Sequence, residues 1–201
     1  DKCFVKAIIL KARQEGISSY VAGRYFRNTT LRPYRKAMVL AHKSEASENL
    51  FKIYERYFDN LTETVKPAKV ANARGRYLEF TNGSILNVET AGDPDAGRSQ
   101  TIHYLHASEQ AMWPNAGTVW NAVEDSIPPT GSEIIIESTA KGIGNVFHEM
   151  WLQAEAGESD FIAIFLPWWI HEEYVKELTK EERKEILESD DPYERKCMDE
   201  G

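Results

Sequence analysis

The sequence predicts an α/β protein built on a mostly parallel central sheet with helices on both faces. Three observations carry this expectation. Short apolar runs alternate with amphipathic helical stretches through most of the chain, the pattern of parallel strands joined by helical crossovers. Some of those runs are almost wholly apolar, residues 4–10 and 37–41 among them, as strands buried on both faces are. The 201 residues, 42% hydrophobic and 28% charged, suffice for one core-bearing domain and are too apolar for a disordered chain.

Residues 4–10 (FVKAIIL) read as the first buried strand, and a helix begins near Ser18 and runs through Phe26. Residues 37–41 (AMVLA) give a second buried strand. A helix over residues 44–61 follows, because Leu50, Ile53, Tyr54, Tyr57, Phe58 and Leu61 form one stripe at a period of 3.6. Residues 77–80 and 85–88 pair as a hairpin across Thr81-Asn82-Gly83-Ser84, since Asn-Gly favours the positive φ of a type I′ turn. Residues 91–100 are rich in Gly, Asp and Pro, and a loop of that length in a compact domain usually has a function. Residues 102–107 return to a strand, and a helix over 116–125 is closed by Pro128-Pro129. Then come a β-branched strand at 133–138, a helix at 145–155 and a last strand at 161–166, ending at Pro167. From His171 the chain is charged and helical, and Thr179-Lys180-Glu181-Glu182 matches a capping box.

Composition excludes several classes. No window approaches 18 uncharged apolar residues, which argues against a transmembrane helix. The start carries no basic, apolar, small-residue leader, so export is not expected. It also lacks an initiator Met and opens almost directly into an apolar run, as a piece excised from a longer protein would. Cys3 and Cys197 have no paired spacing, which opposes a disulfide scaffold or a zinc site and fits a reducing compartment. The net charge of −8 divides unevenly: residues 1–76 hold 16 Lys/Arg against 7 Asp/Glu, or +9, and residues 77–201 hold 8 against 25, or −17. A basic half can face phosphate, although ordinary solvated faces account for the same numbers.

In such a sheet, ligands gather at the carboxyl ends of strands, where helix N-termini offer free N–H groups. The first of these junctions reads Lys11-Ala12-Arg13-Gln14-Glu15-Gly16-Ile17-Ser18-Ser19. Set against the phosphate loop G-x-x-x-x-G-K-[ST], Gly16 and Ser18 fall on the second glycine and the Mg²⁺-binding hydroxyl, Ile17 takes the lysine's place and Lys11 the first glycine's. Amides from Gln14 to Ser18 can cradle a phosphate, with Lys11 entering from the other end of the loop. A plain strand-to-helix turn, bent at Gly16 and capped by Ser18, accounts for the same residues. The strand at 102–107 ends in Ser108-Glu109. A carboxylate at a strand tip beside Mg²⁺ and a γ-phosphate can orient an attacking water, and a hydroxyl at Ser108 can bind a water of the metal's shell. Glu109 also reads simply as an acid in the first turn of a helix.

Together these residues carry a family resemblance. Residues 102–114 (IHYLHASEQAMWP) resemble the Walker B segment of phage terminase large subunits, the ATPases that pump DNA into capsids. Residues 137–147 (ESTAKGIGNVF) resemble that family's coupling motif, and Lys11 to Ser18 its deviant Walker A loop, in which some branches place the lysine first. Ala41-His42 and residues 165–169 (FLPWW) fit as well, so the resemblance spans roughly residues 4–174 in the family's order. It implies a P-loop NTPase fold of the ASCE type, with an ATPase core at residues 1–169 and a helical lid or linker at 170–201.

The resemblance also implies roles. ATP and Mg²⁺ are the expected cofactors. Lys11 would meet the β- and γ-phosphates, residues 11–19 would form the loop around them, and Arg13 would sense the γ-phosphate unless it pairs at the surface with Glu15. Ser18 would bind Mg²⁺, and Glu109 would be the catalytic carboxylate beside the metal. Ser108 stands where the family more often has Asp. Arg98 would reach into a neighbouring subunit's site, or else pair with Asp93 or Asp95. Ser138, Thr139 and Gly142 would couple γ-phosphate loss to motion. Double-stranded DNA, the portal protein, the terminase small subunit and further copies in a ring are the implied partners, in host cytoplasm at the procapsid portal, with no membrane. Basic clusters at Arg24, Arg27, Arg32, Arg35 and Lys36 and at Lys66, Lys69, Arg74 and Arg76 are candidates for phosphate contact, or solvated faces. The family's nuclease domain has no counterpart before the chain ends, so DNA cleavage is not expected of it. A helicase-like ATPase, lacking its expected Asp-Glu pair here, and a degenerate assembly domain that docks to small subunit or portal remain the alternatives.

Overall fold

Parallel strands buried on both faces need continuous apolar runs, and residues 7–10, 37–41 and 134–136 supply them. A computed structural model describes residues 5–69, 75–92, 101–170 and 177–188. In chain order the elements are β1 (Val5–Lys11), α1 (Ile17–Leu31), β2 (Lys36–Ala41), α2 (Ser44–Asp59), β3 (Tyr77–Glu79), β4 (Ile85–Thr90), β5 (Tyr104–Ser108), α3 (Ala116–Glu124), β6 (Glu133–Ser138), α4 (Val146–Glu155), β7 (Ile162–Leu166) and α5 (Lys180–Glu188). The seven strands form one sheet in the order β3-β4-β2-β5-β6-β1-β7. Pairings of β1 with β6, β6 with β5, β5 with β2 and β2 with β4 are parallel, and β3 with β4 is antiparallel. The α/β class and the mostly parallel sheet are thus as the sequence predicts. Arg98, Arg74, Cys3 and Cys197 lie outside the described residues, as does most of the 91–100 loop. The chain divides into two units, Asp1–Phe165 and Leu166–Gly201.

The register explains what the two sheet faces do. Ile8, Met38, Leu40, Leu105, Ala107, Ile134 and Ile136 point one way and pack with Trp113, Val119, Trp120, Phe147 and Trp151 in one core cluster. Side chains alternate along a strand, so Ala7, Ile9, His106 and Ile135 point the other way. There Tyr25 of α1, fully buried, donates its hydroxyl to the carbonyls of Leu105 (3.0 Å) and Glu133 (3.3 Å). Phe26, Tyr57, Phe58 and Phe80 join α1, α2 and the hairpin through ring contacts of 6.0 to 6.3 Å.

Three local expectations need correction. The 77–90 hairpin forms, but its turn is not type I′. Gly83 has φ 76° while Asn82 is not in the positive-φ region. The Gly83 amide donates to the Phe80 carbonyl (2.9 Å) and the Phe80 amide to the Ser84 carbonyl (2.9 Å), the pattern of a type I turn followed by a left-handed glycine. Asn82 is occupied elsewhere, its Oδ1 taking the Ser84 amide (2.9 Å) and its Nδ2 donating to the Thr30 carbonyl (3.1 Å). Second, α1 begins at Ile17 with Gly16 at its N-cap, so Ser18 is inside the helix and does not cap it. Third, Glu109 is not in an α-helical first turn: it precedes a short 3₁₀ turn, Gln110–Met112, that the sequence pattern does not reveal. The capping box at α5 does form, with the Thr179 amide on Glu182 Oε2 (2.9 Å) and the Glu182 amide on Thr179 Oγ1 (3.2 Å).

Several basic residues singled out for DNA contact are engaged within the fold. Arg24 grips Glu133 with two nitrogens (2.7 and 3.1 Å). Arg76 donates to the Val88 carbonyl (3.2 Å) and to Ser44 Oγ (3.0 Å). Lys66 and Lys69 lie over the Phe58 ring, 5.0 and 3.7 Å from its centre. Among the described residues, no helix is long and apolar enough to cross a membrane.

Candidate active site

Sheet order sets this site. Strand β6 lies between β1 and β5, so the carboxyl ends of all three are adjacent. Ser108 pairs in register with Glu137, and Ile9 with Glu137 on the other side. Two-residue periodicity then places Lys11, His106, Ser108 and Glu137 on one face, the face that α1 covers.

The side chains meet there. Lys11, the last residue of β1, has its Nζ 3.2 Å from Glu109 Oε1 and 3.1 Å from Glu137 Oε2. Glu137 Oε1 accepts from Ser18 Oγ (3.1 Å) and lies 3.2 Å from His106 Nε2. Both Glu137 and His106 are fully buried. Glu109 Oε2 accepts from the Thr139 amide (3.1 Å) and Thr139 Oγ1 (3.2 Å), with Ser138 Oγ at 3.4 Å. Ser138 Oγ in turn takes the Ala111 amide (3.2 Å), and the Trp113 indole donates to the Ser108 carbonyl (2.9 Å), which fixes the turn after β5.

Burial alone would push the Glu137 carboxyl up, yet the hydrogen bond and charge of His106, the Lys11 ammonium and the Ser108 hydroxyl together hold it down at about 2. For Lys11, burial works against the charge, but the carboxylates of Glu137 and Glu109 outweigh it and raise the ammonium above its ordinary value. Lys11 and Glu137 therefore both stay charged through the neutral range. Glu109 has φ 51° and ψ 47°, a left-handed conformation without the excuse of glycine, which costs on the order of 1–3 kcal/mol and persists only where its surroundings dictate it. Here four contacts do so.

Beside this cluster the loop from Lys11 to Ser19 bounds a concavity of about 350 Å³ lined by Lys11 and residues 14–19. Gln14 and Gly16 both have positive φ, 62° and 70°. The N-terminus of α1 has no side-chain cap and no acidic residue in its first turn, so its first amides and its dipole favour an anion in that concavity.

The structure thus brings together Lys11, Ser18, Ser108, Glu109, Ser138 and Thr139. Gly16 supplies the bend before α1, Ile17 begins the helix, and Arg13 and Gln14 are exposed on the loop, with Ala12 and Glu15 less so. The Ser19 carbonyl is taken by the Tyr57 hydroxyl (2.9 Å). Gly142 stands apart: it is exposed, with φ 71°, and its carbonyl accepts from Asn145 Nδ2 (3.3 Å). Sequence reasoning missed Glu137 and His106 as members of the site. The signal was available, because a charged residue at the end of an otherwise apolar, β-branched strand must have a partner when buried.

A magnesium ion fits these residues in one way. Among the described residues no group of three or more His, Cys, Asp or Glu forms a cation cage of its own. Magnesium, however, keeps several waters and takes other ligands from a bound nucleotide's phosphates. The Ser18 hydroxyl, and Glu137 Oε2, which accepts no hydrogen bond though buried, suit an ion that arrives in that company.

No protein-family model and no curated protein matches the sequence. Solved structures do match the fold. The ATPase domain of the Thermus phage P74-26 large terminase superimposes with a TM-score of 0.60 at 20% identity, over 94% of this chain and 85% of that one. The large terminase of bacteriophage HK97 gives 0.66 at 12% identity, over 91% of this chain.

The fold is that of the large-terminase ATPase domains. The large terminase of a thermophilic bacteriophage, in complex with ADP, aligns equally at a TM-score of 0.64 and 12% identity, over 95% of this chain. This chain spans 46% of that terminase and 38% of the HK97 protein. Within this terminase-type fold, the cluster around Lys11 occupies the carboxyl edge of the sheet, where α/β folds bind their ligands.

Proposed function

We propose that the chain is the ATPase motor domain of a terminase large subunit, hydrolysing ATP with Mg²⁺ to drive double-stranded DNA into a capsid. The observation that carries the reading is the meeting of Lys11 and Glu109, with Ser18 joined to Lys11 through Glu137, beside an uncapped helix N-terminus. In this reading residues 1–169 are the motor core and 170–201 a lid or linker towards the rest of a packaging machine. Its partners are the portal, the small subunit and neighbouring copies, one of which would receive Arg98.

The roles follow from the contacts. The loop amides and Lys11 bind the β- and γ-phosphates, Arg13 senses the γ-phosphate, and Ser18 holds the metal side. Bound magnesium would neutralise charge on the phosphate oxygens. Glu109 orients the attacking water and takes its proton. Both Glu109 oxygens are engaged, Oε1 by Lys11 and Oε2 by Thr139 and Ser138. A phosphate that draws Lys11 away releases Oε1 to accept from water, so the base is freed only when nucleotide is in place. Ser138 and Thr139, gripping the other oxygen, register the same event at the start of the segment that leads to α4.

The test is calorimetry of Mg·ATP binding to the wild type and Lys11→Ala, with hydrolysis followed in Glu109→Gln. Binding lost in Lys11→Ala, and hydrolysis alone lost in Glu109→Gln, is the expected pair of results. A folded wild type that binds no Mg·ATP would favour the degenerate assembly domain, for which Ile17 in the lysine position and Ser108 in the Asp position speak.

A further inference from the structure

We infer that Glu137, on β6, supplies the carboxylate that orients the Ser18 hydroxyl and anchors the metal's water shell, the task that an acid at the tip of β5 performs in other phosphate-loop enzymes. The inference rests on the nucleotide-binding reading above and assigns a positioning residue within it.

A phosphate-loop site normally holds Mg²⁺ between the loop Ser/Thr and an Asp on a neighbouring strand. Here the β5 position is Ser108, whose neutral hydroxyl can bind water but brings no charge. The charge sits one strand across, in register, at Glu137. Strand β6 lies directly beside β1, which feeds the loop, whereas β5 is one strand further away. Glu137 is therefore nearer to the loop than the residue it would replace, and it already makes the diagnostic contact: Ser18 Oγ donates to its Oε1 at 3.1 Å. With its proton directed at Glu137, the Ser18 oxygen keeps its lone pairs for a cation. The other oxygen, Oε2, is buried without a hydrogen bond, and Lys11 Nζ lies 3.1 Å from it. A phosphate competing for that ammonium leaves Oε2 as a buried anionic acceptor beside Ser18, the kind of group that hydrated magnesium needs. His106, fully buried at 3.2 Å from Oε1, fixes the carboxylate from below, as outer partners fix the groups that hold a metal. Glu133, four residues earlier on the same strand, has no such place: it is gripped by Arg24.

The experiment is binding of ATPγS to the full chain, with Mg²⁺ and with EDTA. The wild type is expected to bind more tightly with Mg²⁺. Glu137→Gln should lose about 10- to 100-fold of that magnesium-dependent gain while its affinity in EDTA, which depends on Lys11, is retained. Adding Ser108→Asp to Glu137→Gln should restore the gain by returning the charge to β5. A Glu137→Gln variant with the wild-type gain overturns the assignment. So does one that loses affinity equally with and without Mg²⁺, since Glu137 would then be only a counter-ion to Lys11. If the Gln variant does not fold, Glu137→Asp keeps the charge but withdraws the oxygens by one methylene; it should show a reduced gain, and an unchanged one overturns the assignment. A wild type that does not bind ATPγS, or a Lys11→Ala variant that binds it as well as the wild type, sinks the nucleotide-binding reading itself and the assignment with it.

Discussion

Replacing Lys11 by Met tests whether the ion cluster is a real energetic unit in the absence of nucleotide. The Met keeps most of the apolar stem and removes the ammonium. Glu137, with a side chain 0% exposed, then lies buried with no cation at 3.1 Å, while Glu109, 25% exposed, keeps its bonds from Thr139. Breaking a buried pair from one side destabilises by about 3–5 kcal/mol. Two features reduce this: Glu109 reaches solvent, and the desolvation of Lys11 itself is relieved. The expected loss is about 2–3 kcal/mol at pH 7, or roughly a 1 M lower urea midpoint for an unfolding slope of about 2–3 kcal/mol per M.

The pH dependence sharpens the test. Glu137 is held at about 2 in the folded chain against an ordinary value of 4.5. Its contribution is therefore present above pH 4.5 and lost as pH falls towards 2, a difference of about 3 kcal/mol. Lys11 is raised, so its contribution is present below its ordinary value of 10.5 and lost as pH climbs past it. Without Lys11 the Glu137 carboxyl rises, so the variant loses less on acidification. Urea midpoints of the wild type and Lys11→Met should differ most at pH 7 and converge as pH is lowered from 5 towards 3. The double variant Lys11→Met/Glu137→Gln should recover most of the loss. A difference below about 0.5 kcal/mol at pH 7, or one unchanged at low pH, would refute the reasoning.

Two further outcomes follow from the contacts. Arg24→Leu strands the buried Glu133 carboxylate and should lower the urea midpoint by an amount equivalent to about 2–4 kcal/mol, with ATPγS affinity unchanged because the pair sits at the opposite end of β6. Asn145→Ala removes the Oδ1 acceptor of the His148 amide at the N-cap of α4 (3.0 Å); about 1 kcal/mol of stability should go with it, and Asn145→Ser should recover most of it in the same thermal melt.

What was legible in the sequence was whatever depends on local pattern. The strand at 133–138 is legible to the residue, because three consecutive isoleucines closely preceded by turn residues admit little else. The capping box at Thr179 was equally plain, since both of its bonds are local. The turn at Asn82-Gly83 was misread because its geometry is settled by a distant acceptor, the Thr30 carbonyl that holds the Asn82 side chain. Glu137 escaped for a related reason. Strand pattern tells which residues share a face, but not that β6 lies between β1 and β5, and only that order makes Glu137 a neighbour of Lys11 and Ser18.

The same order bears on the displaced lysine. A lysine inside a phosphate loop owes its position to the loop's own conformation. Lys11 instead ends a strand, so the pleat that points Ala7 and Ile9 towards α1 points Lys11 the same way, and the register with β6 sets Glu137 beneath it. Its position is therefore a property of the sheet, which is stiff, and the left-handed Gln14 and Gly16 have only to carry the chain round to Ser18. That division of labour is why a sequence failing the phosphate-loop pattern at its first glycine and its lysine can still bring an ammonium, a hydroxyl and two carboxylates to one place. It also makes a sharp distinction between two kinds of damage. Lengthening the loop between Ala12 and Gln14 should leave the Lys11 contacts to Glu109 and Glu137 in place, because they run between strand ends, while moving Ser18 and the amides of α1 away from the site.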